Sequence, residues 1–263
     1  MSQAEIPDPI LEVVHVSKSY GGVQAVKECT FGVARGSVTG LIGPNGAGKS
    51  TLINLASGFV KPDSGTIRFD GADIQGKPMH QVSRLGLMRT FQSPREWPGL
   101  TVMENMLLAS PPRGRDALWR AYLQPGKLRQ AEDVDRVRAR ELLRDFNLYD
   151  LRDELAGNLS GGQKRLLEFA RIAFAQPQMV LLDEPQSGVN PVLADRMIEA
   201  ILRLNADGIT VLLIEHNLPF VERLCPRVVV MALGTSIAAG SMDELRADAD
   251  VLDAYLGQVP VSV

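Results

Sequence analysis

The chain has 263 residues, of which 45% are hydrophobic and 22% charged, and a formal net charge of -3. It can bury a sizeable core as one large α/β domain or a domain with a helical insert, and its slight acidity excludes a protein whose main task is to coat nucleic acid, which wants a basic surface. The two cysteines, Cys29 and Cys225, form no C-x-x-C pair, which excludes a disulfide framework or zinc site and suits a reducing cytoplasm.

The first residues lack the basic start and apolar stretch of a secretory signal. No apolar run approaches the roughly 20 residues that span a bilayer, so a membrane role requires a partner that supplies the span. Residues 10–42 predict strands: an alternating stretch, a turn at Gly21 and Gly22, then the apolar run Val38 to Ile42. A glycine-rich loop and a helix from about Lys49 follow, and residues 65–91 predict short strands around a small helix. From Thr101 to about Leu159 long helical patterns dominate, broken by Pro111, Pro112, Pro125, Gly126 and Asn147, which marks a helical subdomain.

Strand and helix then alternate: Met179 to Leu182, a helix from Pro191, Thr210 to Ile214, a helix near Phe220, and Val228 to Leu233. Such alternation predicts a parallel sheet with helices on its faces. In the helix from Pro191, Asn190 suits the N-cap, Leu193, Met197, Ile201 and Leu204 form a core stripe, and Gly208 suits the end.

Gly43, Pro44, Asn45, Gly46, Ala47, Gly48, Lys49 and Ser50, with Thr51 behind them, make the phosphate-binding pattern G-x-x-x-x-G-K-[ST]. Gly46 and Gly48 let the backbone curl so that several N–H groups face one point, and the helix behind adds positive potential. Lys49 is placed to reach the β- and γ-phosphates of ATP, and the Ser50 hydroxyl to bind Mg2+. The apolar run Met179 to Leu182 delivers Asp183 and Glu184 at the carboxyl end of a strand, where open α/β sheets bind ligands. Asp183 would hold the metal through water, and Glu184 would polarise the attacking water. An isolated Asp-Glu pair more often caps a helix; the phosphate loop reverses that order. A third strand ends in Glu215 and His216, and His216 can contact the γ-phosphate and orient Glu184. His15 and His80 have no such support and read as structural.

Leu159, Ser160, Gly161, Gly162 and Gln163 resemble the signature sequence of ABC ATPases. Gln92, in Arg89-Thr-Phe-Gln92, matches the glutamine that family places after a strand, and Tyr20 matches its adenine-stacking aromatic, against the alternative of a core tyrosine. The motifs occur in the family's order over nearly the whole chain. The resemblance implies a P-loop ABC ATPase core with a mostly parallel sheet, an N-terminal antiparallel β part and an inserted α-helical subdomain, with residues 1–92 and 160–263 as the core and 93–159 as the insert. It implies ATP hydrolysis, with Glu184, His216 and Gln92 catalytic and Ser50, Gln92 and Asp183 around Mg2+. Ser160 can cap the next helix, and in the family that helix end closes over ATP bound to a second ATPase subunit, a different chain or an identical one.

Ile42-Gly43-Pro-Asn-Gly, Arg89-Thr-Phe-Gln92, Gly188-Val-Asn190-Pro191 and Ala254-Tyr-Leu-Gly257 are similar to the ATPases of branched-chain amino-acid importers. Asn190 departs from the aspartate that many members of the wider family place there. That branch implies transmembrane permease partners, a solute-binding protein, no nucleic acid, and a peripheral position at the cytoplasmic face of the membrane; Trp97, in the stretch 92–100, would be an exposed aromatic needing a partner. Related ATPases move amides, urea or lipopolysaccharide, and non-transport ABC ATPases carry paired domains, coiled coils or zinc-binding cysteines that this sequence lacks. The charge-dense stretch Lys127 to Asp145 reads as a solvated helix face, and Met103, Met106, Leu107 and Leu108 as core.

Overall fold

The computed structural model describes residue 6 and residues 8–90, 95–110, 125–186 and 191–256, with side chains except at 125–129, 191, 192, 255 and 256. The chain divides into two compact units, one of residues 1–92, 178–188 and 201–263, the other of 93–177 and 189–200. The second therefore extends beyond residue 159, where the sequence texture changes. The expected N-cap Asn190, the glutamine Gln92 and the motif at Gly188 lie outside the described residues.

The first unit holds two sheets. Strands β1 (Pro9–Tyr20), β2 (Val23–Ala34), β4 (Ser64–Phe69) and β5 (Ala72–Asp73) form an antiparallel sheet of order β2-β1-β4-β5. Alternation in β1 buries Leu11 and Val13 while Glu12 and Val14 stay partly accessible, and Gly21, at φ 57°, makes the turn into β2. Strands β3 (Val38–Ile42), β6 (Leu87–Arg89), β7 (Met179–Asp183), β8 (Thr210–Ile214), β9 (Arg227–Ala232) and β10 (Thr235–Gly240) form the second sheet, of order β10-β9-β3-β8-β7-β6, parallel except for β10.

Every residue of β3, β7 and β8 is buried, as expected for apolar runs covered on both faces. One cluster, including Leu11, Ile67 and Phe69 of the first sheet, Leu52 and Ile53 of helix α1 (Lys49–Ala56), and Leu41, Leu181, Leu212 and Val229 of the second, forms a core between them. Because β3, β8 and β7 are parallel neighbours, their carboxyl ends lie side by side. The order of strands thereby gathers the phosphate loop, Asp183-Glu184 and His216 at one edge, as the sequence suggests. Helices α2 (Met79–Arg84), α7 (Leu218–Leu224), α8 (Met242–Arg246) and α9 (Ala249–Leu256) complete this unit.

The second unit holds α3 (Val102–Leu108), α4 (Pro125–Asp145), α5 (Gly161–Ala175) and the start of α6 (Pro191–Ala206). In α6 Met197, Ile201 and Leu204 are fully buried, and Gly208, at φ 88°, follows its end. Helix α4 exposes Glu132, Asp133, Arg136, Arg140, Glu141 and Arg144, the expected solvated face, whereas Arg138 turns inward, donating to the Ala173 carbonyl and lying over the Phe174 ring. Met106 is in the core, but Leu108, expected there too, is 55% exposed. Two residues along a helix turn the side chain about 200°, away from the face of Val102 and Met106.

Asn105 is fully buried, and both ends of its side-chain amide are engaged locally. Its amide donates to the carbonyls of Trp97, Leu100 and Thr101, and its oxygen accepts the Trp97 N–H. The loop 97–101 is thus moulded around one side chain. Asn105→Ala leaves those buried groups unpaired and should destabilise the protein by about 1–3 kcal/mol, measured by urea unfolding; an unchanged midpoint would show that the loop holds itself.

Candidate active site

The phosphate loop is curled so tightly that two of its glycines admit no side chain. A Cβ on Gly43, at φ 150°, would lie 2.1 Å from the Met231 carbonyl oxygen, and one on Gly48, at φ 97°, 2.3 Å from that of Ala25. The turn between β9 and β10 locks the loop from outside: the Gly234 N–H donates to Ala47, and the Lys27 N–H to Gly234. Gly48 is also the N-cap of α1, so the free amides of the first turn open onto the loop. Lys49 is buried and its ammonium donates to the carbonyls of Gly43 at 2.7 Å and Pro44 at 2.9 Å. Burial holds its pKa below the ordinary lysine range, opposed by the charges of Glu184 and Asp183. An anionic phosphate would replace two neutral partners with stronger, charge-assisted ones. Ser50, next on α1, is exposed.

At the end of β7, Asp183 is buried, and its Oδ2 accepts from Arg89 Nη2 at 2.9 Å. Its Oδ1 is buried with no hydrogen-bond partner among the described residues. Glu184 has a left-handed backbone, φ 46°, fixed by its N–H donating to the Ile214 carbonyl at 3.0 Å. The same bond ties the ends of β7 and β8 together. His216 Nδ1 lies 4.0 Å from Glu184 Oε1, within charge range but too far for a direct hydrogen bond.

Two residues here had no role in the sequence reading. Arg89 was visible only as part of a resemblance, and its partner lies 94 positions away. Glu215, between β8 and His216, is fully buried and accepts the N–H groups of Gln186 at 2.9 Å and His216 at 3.2 Å. It joins the end of β8 to the backbone just after Glu184. A carboxylate closing an apolar run was its one sequence signal.

Tyr20 is 47% exposed at the end of β1, which removes the core alternative and leaves a ring open to a stacking partner. Lys18 Nζ stands 5.7 Å from its centroid. His15 and His80 are exposed. In the other unit Ser160 is the N-cap of α5: its hydroxyl accepts the Gln163 N–H, and the Gln163 side chain accepts the Ser160 N–H. Leu159 precedes the cap, and a Cβ on Gly161 would meet open space, so that helix end is uncovered. Gly162 differs: a Cβ there would come within 2.0 Å of Leu193 Cδ2. The packing of α6 on α5 thus leaves little room at Gly162 unless the Leu193 side chain shifts.

Residues 26–187 match the family described as ABC transporter. A probable branched-chain amino acid transport ATP-binding protein LivG of Archaeoglobus fulgidus is 39% identical over 94% of this chain and 95% of its own. The high-affinity branched-chain amino acid transport ATP-binding protein BraF of Pseudomonas aeruginosa is 37% identical over 95% and 98%. A crystal structure of the ADP conformation of an ATP-binding cassette of an ABC transporter superposes with a TM-score of 0.79 at 35% identity, covering 95% of this chain and 99% of that one.

Burial pushes the Glu215 carboxyl above the ordinary glutamate value of 4.5, with the Gln186 and His216 N–H groups opposing the shift. A carboxyl with a raised folded pKa contributes stability that is complete below the unfolded value and lost as pH rises through the folded one. The contribution of Glu215 to stability should therefore fall as pH rises above 4.5, and Glu215→Gln, which stays neutral but keeps only one acceptor oxygen for the two N–H groups, should remove that part of the slope. Urea midpoints measured across pH check this; parallel curves for the two proteins would refute it.

Proposed function

The chain belongs to the ABC transporter family, and from that premise we propose that it is the ATP-hydrolysing subunit of an importer for branched-chain or related amino acids, docked on transmembrane permease subunits at the cytoplasmic face of the membrane. The observation that carries the chemistry is the convergence of the phosphate loop, Asp183-Glu184 and His216 on one sheet edge. Relatives 36–39% identical over nearly the whole chain, named for branched-chain amino acid transport, support the substrate class. Among the described residues no helix is long and apolar enough to cross a membrane, so the path for the solute belongs to the permeases. Trp97, 50% exposed beside Arg171, is suited to meet them.

The backbone amides behind Gly43, Asn45, Gly46, Ala47 and Gly48 cradle the phosphates, Lys49 exchanges its two loop carbonyls for β- and γ-oxygens, and Tyr20 stacks on the base. Ser50 and Thr51 open α1 beneath the phosphates. Glu184 takes the proton-accepting position toward the attacking water, and His216, across the gap between β7 and β8, orients Glu184 and the γ-phosphate. The exposed end of α5, with Ser160 and Gly161, closes over ATP held by a second ATPase subunit. Hydrolysis splits off the γ-phosphate, and its release as phosphate removes the charge that joins the two halves.

The site fits a magnesium ion. Magnesium keeps waters and phosphate oxygens and takes few protein ligands, which agrees with the absence, among the described residues, of any cluster of three metal-ligating His, Cys, Asp or Glu side chains. Asp183 Oδ1, without a hydrogen-bond partner among the described residues, and the hydroxyl of the exposed Ser50 are the donors in hand, joined by Gln92. When bound, the ion would neutralise charge developing on the β- and γ-phosphates.

Glu184→Gln should keep ATP binding and lose hydrolysis by about 10²–10⁴-fold, read by phosphate release and calorimetry; near wild-type turnover would remove Glu184 from its role. Lys49→Ala should abolish tight ATP binding. The importer reading is tested by purifying the chain from native membranes: two permeases, a further ATPase and an amino-acid-binding protein should accompany it, and ribosomes or DNA-bound factors instead would overturn transport while leaving the ATPase.

A further inference from the structure

Arg89 ends β6, and its side chain is only 9% exposed, that of its partner Asp183 4%. One planar guanidinium ties β6 to two other elements. Nη2 donates to Asp183 Oδ2 at the end of β7; Nη1 donates to Asn54 Oδ1 and, at 3.4 Å, to Ser57 Oγ, both at the closing turn of α1. Helix α1 opens with Lys49 and Ser50. The same cation therefore grips the carboxylate after β7 and the far end of the helix that carries the phosphate-binding lysine.

This grip decides which oxygen of Asp183 is available. Oδ2 is pinned in a charge-assisted hydrogen bond, which fixes rotation of the carboxylate, while Oδ1 is left buried and without a hydrogen-bond partner among the described residues. A buried carboxylate oxygen in that condition is costly unless something else uses it. Lysine could not substitute for the arginine, because a single ammonium cannot present two donors in a fixed plane to partners on different elements.

We infer that Arg89 is a positioning residue for the metal of the nucleotide: it holds Asp183 so that Oδ1 faces the cation, and couples that orientation to α1 through Asn54 and Ser57. The inference rests on the role given to Asp183 above. Arg89 touches neither nucleotide nor water in this account; it acts through the carboxylate. Supporting partners of metal ligands, when removed, weaken metal binding by about 10–100-fold.

The test uses Mn2+ as probe, titrated into the full-length protein with ADP, with free Mn2+ followed by its paramagnetic resonance signal. Arg89→Gln should weaken Mn2+ binding by about tenfold or more, while ADP affinity in chelator stays near that of the unaltered protein. Arg89→Lys, which keeps the charge but loses the fork, should fall between the two. Unchanged Mn2+ affinity in Arg89→Gln overturns the inference, and so does an equal loss of ADP affinity with and without metal, which would mark Arg89 as a structural tie alone. If Arg89→Gln does not fold, Arg89→Lys decides: weaker Mn2+ binding supports the role and unaltered binding overturns it. Asp183→Asn separates the two layers. Undiminished Mn2+ affinity there would remove Asp183 itself from the metal site, whereas weakened binding there with none in Arg89→Gln would remove only Arg89.

Discussion

Backbone crowding around the phosphate loop is the constraint from which the rest of the site follows. Gly43 and Gly48 lie against the carbonyl oxygens of Met231 and Ala25 too closely for any side chain, and the turn at Gly234 bonds to the loop at Ala47. A loop pressed in this way has its amides turned to one side. It also has little freedom to lose when an anion arrives, which favours binding by preorganisation. The neighbours that press on it come from β2, β9 and the β9–β10 turn, so both sheets of the unit contribute to its shape.

Around that loop the charges form a graded set. Lys49 is buried and feels Glu184 and Asp183; Arg89 neutralises Asp183 from behind; Glu215, wholly buried, is pushed toward its neutral form by burial. The acidic groups nearest the phosphate position thus differ in what holds them. Asp183 has a cation, Glu184 is partly exposed beside His216, and Glu215, also within 3.8 Å of the His216 ring, is held by backbone N–H donors. These differences suit separate tasks: a metal-facing carboxylate, a base able to reach water, and a brace for the backbone after Glu184.

The parts legible in the sequence are those whose chemistry is local. The phosphate loop is a contiguous pattern, the cap Ser160 stands directly before α5, and the apolar runs Met179 to Leu182 and Val211 to Ile214 announce strands buried on both faces. Arg89 and Glu215 were not legible because each depends on parallel neighbours far apart in the chain. Nothing near Arg89 in sequence shows that Asp183 and Asn54 will lie on either side of it. Asn105 was hidden for another reason: within a short apolar helix it occupies a core position, and only the fold of the loop 97–101 explains a polar residue there. Gly162 shows the converse, a residue assigned wholly to ligand chemistry that also makes room for Leu193.

The left-handed backbone at Glu184, held by the Ile214 carbonyl, has a consequence for how this chain can change over generations. That conformation costs a glutamate of order 1–3 kcal/mol and a glycine little. In the role proposed for Glu184, some substitutions that abolish turnover would therefore make the folded protein more durable. Drift toward a sturdier but inert subunit is open to any duplicate copy released from the need to hydrolyse ATP, and only continued demand for transport holds the strained residue in place.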